Sequence, residues 1–137
     1  MSYKFLPHTA DVKILAEGKS IEEAFSNSVF ALKETICGKI KIKPKTFRKF
    51  SVKGDDFESL LYNFLEEFLF LLDAKSFLLS KIEKLKIDEK SFKISAEVSG
   101  DKAKNYKFSN PVKAITYNDM FVGRKGKSFI CRFVLDV

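Results

Sequence analysis

The sequence predicts an α+β fold in which two helices pack on one face of a mixed or antiparallel β-sheet. Two windows, 21–36 and 57–72, repeat apolar residues at intervals of three and four, the signature of amphipathic helices. Most of the remaining chain alternates apolar and polar residues at the period of a strand. The order is strand, helix, strand, helix and then a run of strands, which segregates helices from sheet.

The first strand is read from Val12, Ile14 and Ala16, which alternate with Lys13, Leu15 and Glu17. Ser20 and Glu23 then have the spacing of a capping box. Ile21, Ala24, Phe25, Ser28, Val29, Leu32 and Ile36 line one buried helical face, and Gly38 supplies a stop. Phe50 and Val52 end a basic strand. The second helix opens at Asp55-Asp56, with Glu58 three residues after Asp55. Its face of Phe57, Leu60, Leu61, Phe64, Leu65, Phe68, Leu69 and Leu72 is wide enough to be the spine of the core. Such an aromatic stripe at helical spacing reads as packing rather than as a ligand box.

Ile82, Leu85 and Ile87 slip phase near Glu83-Lys84, which predicts a β-bulge. Asp88-Glu89-Lys90-Ser91 reads as a hairpin turn. Phe92, Ile94, Ala96 and Val98 alternate with Lys93, Ser95, Glu97 and Ser99, a strand with one wet face. Residues 112–117 and 129–136 are the last two strands, with Gly123-Arg124-Lys125-Gly126 as the turn between them. No repeat or linker interrupts the chain, so residues 1–137 are read as one domain.

Composition narrows the function classes. The chain is 45% hydrophobic and 31% charged, which fits a soluble globular protein. Fifteen phenylalanines and no tryptophan predict a core built on phenylalanine. Cys37 and Cys131 are too few for a disulfide framework and lack metal-type spacing. The first residues lack the apolar run of a signal peptide, and Glu66, Glu67 and Asp73 interrupt the greasiest window. A reducing cytoplasm and no membrane are therefore expected.

The net charge is +7, and Lys39, Lys41, Lys43, Lys45, Arg48, Lys49 and Lys53 form a stretch without an acidic residue. It reads either as a surface for nucleic acid or as solvated lysines that blunt a sheet edge.

No phosphate loop, dinucleotide fingerprint or nucleophile elbow is present, and His8 is the only histidine. A triad or a zinc site would need more, so no catalytic residue is assigned and the chain is expected not to be an enzyme. Two carboxylates stand out, Asp11 after Leu6-Pro7-His8-Thr9-Ala10 and Asp136 within Phe133-Val134-Leu135-Asp136-Val137. In the last strand Phe129, Cys131, Phe133 and Leu135 share one face, and Ile130, Arg132, Val134 and Asp136 share the other. Both faces are largely apolar, so Asp136 at a partly covered position needs a cation, a donor, protonation or a frayed end.

His8-Thr9-Ala10-Asp11, Val112-Lys113-Ala114-Ile115-Thr116-Tyr117, the Leu60–Asp73 run and the Leu-Asp-Val ending together resemble the archease family, in order and over nearly the whole chain. The resemblance implies an SHS2-type sandwich and a protein that activates an RtcB-type tRNA-splicing RNA ligase by promoting its guanylylation and turnover. It implies a divalent metal ion, calcium first with magnesium or manganese as alternatives, held by Asp11, Asp136 and the main chain or carboxylate of Val137. Hard oxygen ligands suit such ions. His8 either orients that site or is a core histidine bonded to backbone. The implied partner is the ligase, with indirect contact to RNA or GTP. The chain departs from common family residues at Asn118, where His is frequent, and at Pro111, where an acid is frequent; Asp101 and Asp119 are the substitutes nearby. The alternative function is a small basic RNA-binding module that acts without a ligase.

Overall fold

The computed structural model describes residues 2–6 and 11–137. Ser20 caps the first helix, α1 (Ile21–Cys37): its hydroxyl accepts the Glu23 amide, and Gly38 closes the helix at φ 68°. The Glu23 carboxylate reaches back to the Lys19 amide at 3.2 Å instead of to Ser20, so only half of the expected box forms. In the second helix, α2 (Phe57–Lys75), the cap is Asp56, paired reciprocally with Ser59 rather than Asp55 with Glu58. With Asp56 as the cap, Ser59 holds the third helical position that closes such a box, while the Glu58 carboxylate accepts the Val122 amide.

The strands are β1 (Ser2–Leu6), β2 (Val12–Gly18), β3 (Thr46–Lys53), β4 (Phe77–Asp88), β5 (Lys93–Lys102), β6 (Ala114–Lys125) and β7 (Ser128–Asp136). The α+β class and both helices are as the sequence predicts. The strands divide between two antiparallel sheets, ordered β1-β2-β7-β6 and β3-β5-β4. Helix α1 packs on β1, β2 and β7 of the first and on β4 of the second, while α2 packs on β6 and on β3, β4 and β5. The helix pair thus covers the inner face of both sheets, and one core runs through all three layers.

Phenylalanine builds that core as expected. Phe25, Phe64 and Phe133 are fully buried, and the rings of Phe25, Phe50, Phe64 and Phe68 contact one another in series. Each such side chain contributes roughly 1.5–3 kcal/mol from burial alone. Among the described residues, no helix is long and apolar enough to cross a membrane.

The bulge at Glu83 is present, and a second occurs at Ser80. Phe92 falls in the β4–β5 turn at φ 50° rather than in the strand; its ring meets Phe57 edge-on at 5.0 Å, which holds an unfavourable backbone in place. The last hairpin turns at Gly126-Lys127, two residues later than predicted, with Gly126 at φ 62°. β1 has no counterpart in the sequence reading.

Asp101 ends β5 as a structural hub, 4% exposed. It accepts the Tyr106 hydroxyl at 2.8 Å, the Lys102 amide at 2.8 Å and the Asn105 side chain at 3.3 Å. The Tyr106 hydroxyl bond leads these in holding the carboxyl below the usual aspartate range, against the opposing effect of burial. A depressed native pKa contributes stability above the unfolded value of ~3.9, lost as pH falls through the native value. Asp101→Asn should therefore be less stable than wild type at pH 7 in urea denaturation. The gap should narrow as pH falls below the unfolded value of ~3.9; a gap independent of pH would mean that the carboxylate charge is not what the hub uses.

Candidate functional site

β2 and β7 pair from Gly18↔Phe129 to Val12↔Leu135, and Asp11 and Asp136 are the next residues of the chain beyond that last pair. Ile14, Ala16, Cys131, Phe133 and Leu135 face the helices and are fully buried. Asp11, Lys13, Leu15, Arg132, Val134 and Asp136 therefore take the outer face. Both aspartates are half-buried, as is Val137, which packs against the core margin. The Asp136 carbonyl is taken by the Lys113 amide at 2.7 Å, so the main-chain oxygens of Val137 are those left beside the row.

Val134 is 0% exposed although it lies on the outer face. Beside it, β6 bows into an arc. Residues 117–120 stand opposite the single residue Phe133, since Thr116 pairs with Val134 and Phe121 with Arg132. Asp119 adopts φ 60°, its carboxylate lies 3.6 Å from the Lys13 ammonium, and its carbonyl accepts the Arg132 Nε–H at 3.0 Å. Lys13 is across the strand from Val134 and Arg132 is two residues before it, so the arc is pinned on both sides of that side chain.

The ends of the arc are tied to α2. Tyr117 stacks on Tyr62 at 4.4 Å, and the Glu58 carboxylate accepts the Val122 amide at 3.0 Å. Arg132 also lies over the Phe121 ring at 5.4 Å. Tyr117 and Phe121 remain 54% and 39% exposed, Tyr117 over α2 and Phe121 beside Arg132.

Of the residues singled out in the sequence, Asp11 immediately precedes Val12 and Asp136 and Val137 follow Leu135, at the end of the β2–β7 pairing. His8 lies outside the described residues. Asp101 belongs to the other sheet, and Asp119 shares the outer face but is engaged by Lys13. Among the described residues, no three His, Cys, Asp or Glu side chains converge as a metal cluster. The row offers hard oxygen donors, two from side chains and the rest from main chain. Neither thiol is activated: burial pushes Cys131 up to about 12 and also raises Cys37. The arc with its Lys13 and Arg132 anchors was missed in the sequence. Its only signal is Asn118-Asp119, two residues that tolerate left-handed backbone, inside an apolar strand.

Arg132→Met should destabilise the protein by about 1 kcal/mol in urea denaturation, the usual net value of one such hydrogen bond. No loss of stability would show that the arc holds its shape without this anchor.

The Archease protein family (MTH1598/TM1083) matches residues 3–137. A curated relative from Sulfurisphaera tokodaii, named "Protein archease", is 35% identical over 137 residues and covers 98% of each chain. Another of that name from Pyrococcus abyssi is 41% identical over 116 residues, 82% of each chain. The solution structure of Methanobacterium thermoautotrophicum protein 1598 superimposes with TM-score 0.84 at 30% identity, over 98% of both chains. A crystal structure from Thermotoga maritima, described as an archease and possible chaperone, shares the fold at TM-score 0.68 and 19% identity, over 98% of this chain and 96% of that one.

Proposed function

The chain belongs to the archease family, and on that premise we propose that it activates an RtcB-type tRNA-splicing RNA ligase, promoting guanylylation and multiple turnover of the ligase without catalysing a step itself. The observation that supports this reading is the end of the β2–β7 ladder at Val12↔Leu135, since the next residues, Asp11 and Asp136, are the two positions where the family resemblance implies metal ligands.

The donor set fits a hard divalent cation. Like charges opposite one another on neighbouring strands destabilise a sheet, and a bound cation reverses that sign. Calcium accepts carboxylate and carbonyl oxygens in flexible geometry, with magnesium or manganese as alternatives. Asp11, Asp136 and a main-chain oxygen of Val137 would hold the ion, which would supply positive charge beside the nucleotide or metal of the ligase.

The chain's own residues do the rest. Lys13 and Arg132 keep the Asp119 arc against the sheet, so the acidic row is presented on a shaped surface. Tyr117 and Phe121, exposed at the two ends of the arc, provide rigid aromatic contact area at low entropic cost. A contact limited to one end of a 15.7 kDa protein is small, which suits transient docking and repeated use. The two buried thiols suit a reducing cytoplasm.

Two measurements test the proposal. In calorimetric titration with calcium, Asp11→Ala and Asp136→Ala should each weaken binding by more than about tenfold, the loss that even an outer partner of a metal ligand brings. Added in substoichiometric amounts, the wild-type protein should convert single-turnover sealing by the cognate ligase into multiple turnover. Both variants should lose that effect while circular dichroism shows an intact fold. Ligase turnover that is the same with and without the wild-type protein would sink the reading.

A further inference from the structure

The second sheet leaves its outer face open, and the arrangement of charge there is not what the linear basic stretch suggests. Lys39, Lys41, Lys43 and Lys45 lie in the segment before β3, which is fastened to the sheet by bonds from Lys43 N–H to the Tyr106 hydroxyl and from Lys45 N–H to the Gly100 carbonyl. Only Lys49 and Lys53 of that stretch reach the outer face. They are joined there by lysines from two other strands.

The cross-strand rows are Lys53–Lys93–Asp88, Ser51–Ser95–Lys86, Lys49–Glu97–Lys84 and Phe47–Ser99–Lys81. The two bulges of β4 produce this pattern. A bulge reverses the phase of a strand, and the ones at Ser80 and Glu83 turn Lys81, Lys84 and Lys86 to the same side. Lysines that merely blunt an edge explain β3 and β4, which are edges, but not Lys93 on the central strand.

The carboxylates on this face are engaged. Glu97 is shared between Lys49 at 3.5 Å and Lys84 at 3.6 Å, Glu83 accepts the Ser99 hydroxyl at 2.6 Å, and Asp88 accepts turn amides from Lys90 and Ser91. Lys49 and Lys84 remain 79% and 80% exposed. Ser51 and Ser95, short beside Lys49, Lys84 and Glu97, open a trough of two adjoining depressions of about 450 and 430 Å³ that share those three long residues. At its end stands Phe47, 70% exposed, an apolar ring in a field of positive charge.

We propose that this trough docks single-stranded RNA, with phosphates against the lysine rows and a base stacked on Phe47. Lysines spaced two residues apart along a strand recur about every 6.6 Å, a repeat suited to an extended backbone. A lone exposed ring suits unpaired bases, which a duplex hides. The exposed Ser51 and Ser95 hydroxyls face the same trough and favour RNA through its 2′-hydroxyls. The inference does not depend on the ligase proposal, because the surface is on the other sheet and the binding needs no partner protein.

The test is fluorescence anisotropy of the full chain with a labelled RNA oligonucleotide of about 12 nucleotides, within the usual site size of such platforms. Affinity should fall with salt by about 0.7 log units per log unit for each phosphate contacted. Phe47→Ala should weaken binding about tenfold with the salt slope unchanged. Lys84→Gln with Lys86→Gln should lower the slope by about 1.4. The matched pair Lys125→Gln with Lys127→Gln, on the β6–β7 hairpin, should leave affinity unchanged. No binding at low salt would overturn the proposal. So would equal losses in the two lysine pairs, or affinity for polyglutamate or duplex RNA as high as for the single strand.

Discussion

The pairing of β7 with β2 is the constraint on which the rest of the first sheet depends. β7 is buried on both sides: Cys131, Phe133 and Leu135 are 0% exposed toward the helices, and Val134 is 0% exposed on the opposite face. A slip of one residue would exchange those faces and drive Arg132 and Asp136 toward Phe25 and Phe64. Burying an unpaired charge costs far more than any single apolar contact returns, so the register is strongly specified. The placement of Asp11 and Asp136 just beyond the Val12↔Leu135 pair is therefore a consequence of core packing. Position 136 lies one residue beyond Leu135, the last fully buried residue of β7, where the sheet can carry a charge without losing the core.

Beside that pairing, four residues of β6 bow out against one residue of β7. The bow brings Asp119 between Lys13, which its carboxylate pairs, and Arg132, which donates to its carbonyl. Acidic character is thus confined to the end of the first sheet, whereas the lysines gather on the open face of the second. The helix pair separates the two surfaces, so a net charge of +7 conceals two patches of opposite sign.

Much of this was legible in the sequence where the signal is local. Both helices, the hairpin at Asp88 and the phase slip at Glu83 follow from periodicity and turn chemistry within a dozen residues. The candidate pair of carboxylates was also visible, through a family resemblance that attached meaning to Asp11 and Asp136. What failed to show depends on distant partners. Division into two sheets is decided by which strands pair across the chain, and alternation is blind to that. β1 reads as Ser2-Tyr3-Lys4-Phe5-Leu6, too short and too weakly alternating to stand out, and it is a strand because β2 offers it an edge. The cap at Asp56 was ambiguous because two aspartates are adjacent and either could start the helix. The lysine face was hidden because its members come from three strands and two bulges rather than from the one basic run.

The claim at the centre of this account is that the end of the β2–β7 ladder is a cation site. The direct measurement is a crystal structure grown with calcium, with data collected at long wavelength for an anomalous map. The account predicts a peak about 2.3–2.6 Å from carboxylate oxygens of both Asp11 and Asp136. A peak touching neither carboxylate, or none at saturating calcium, would contradict it.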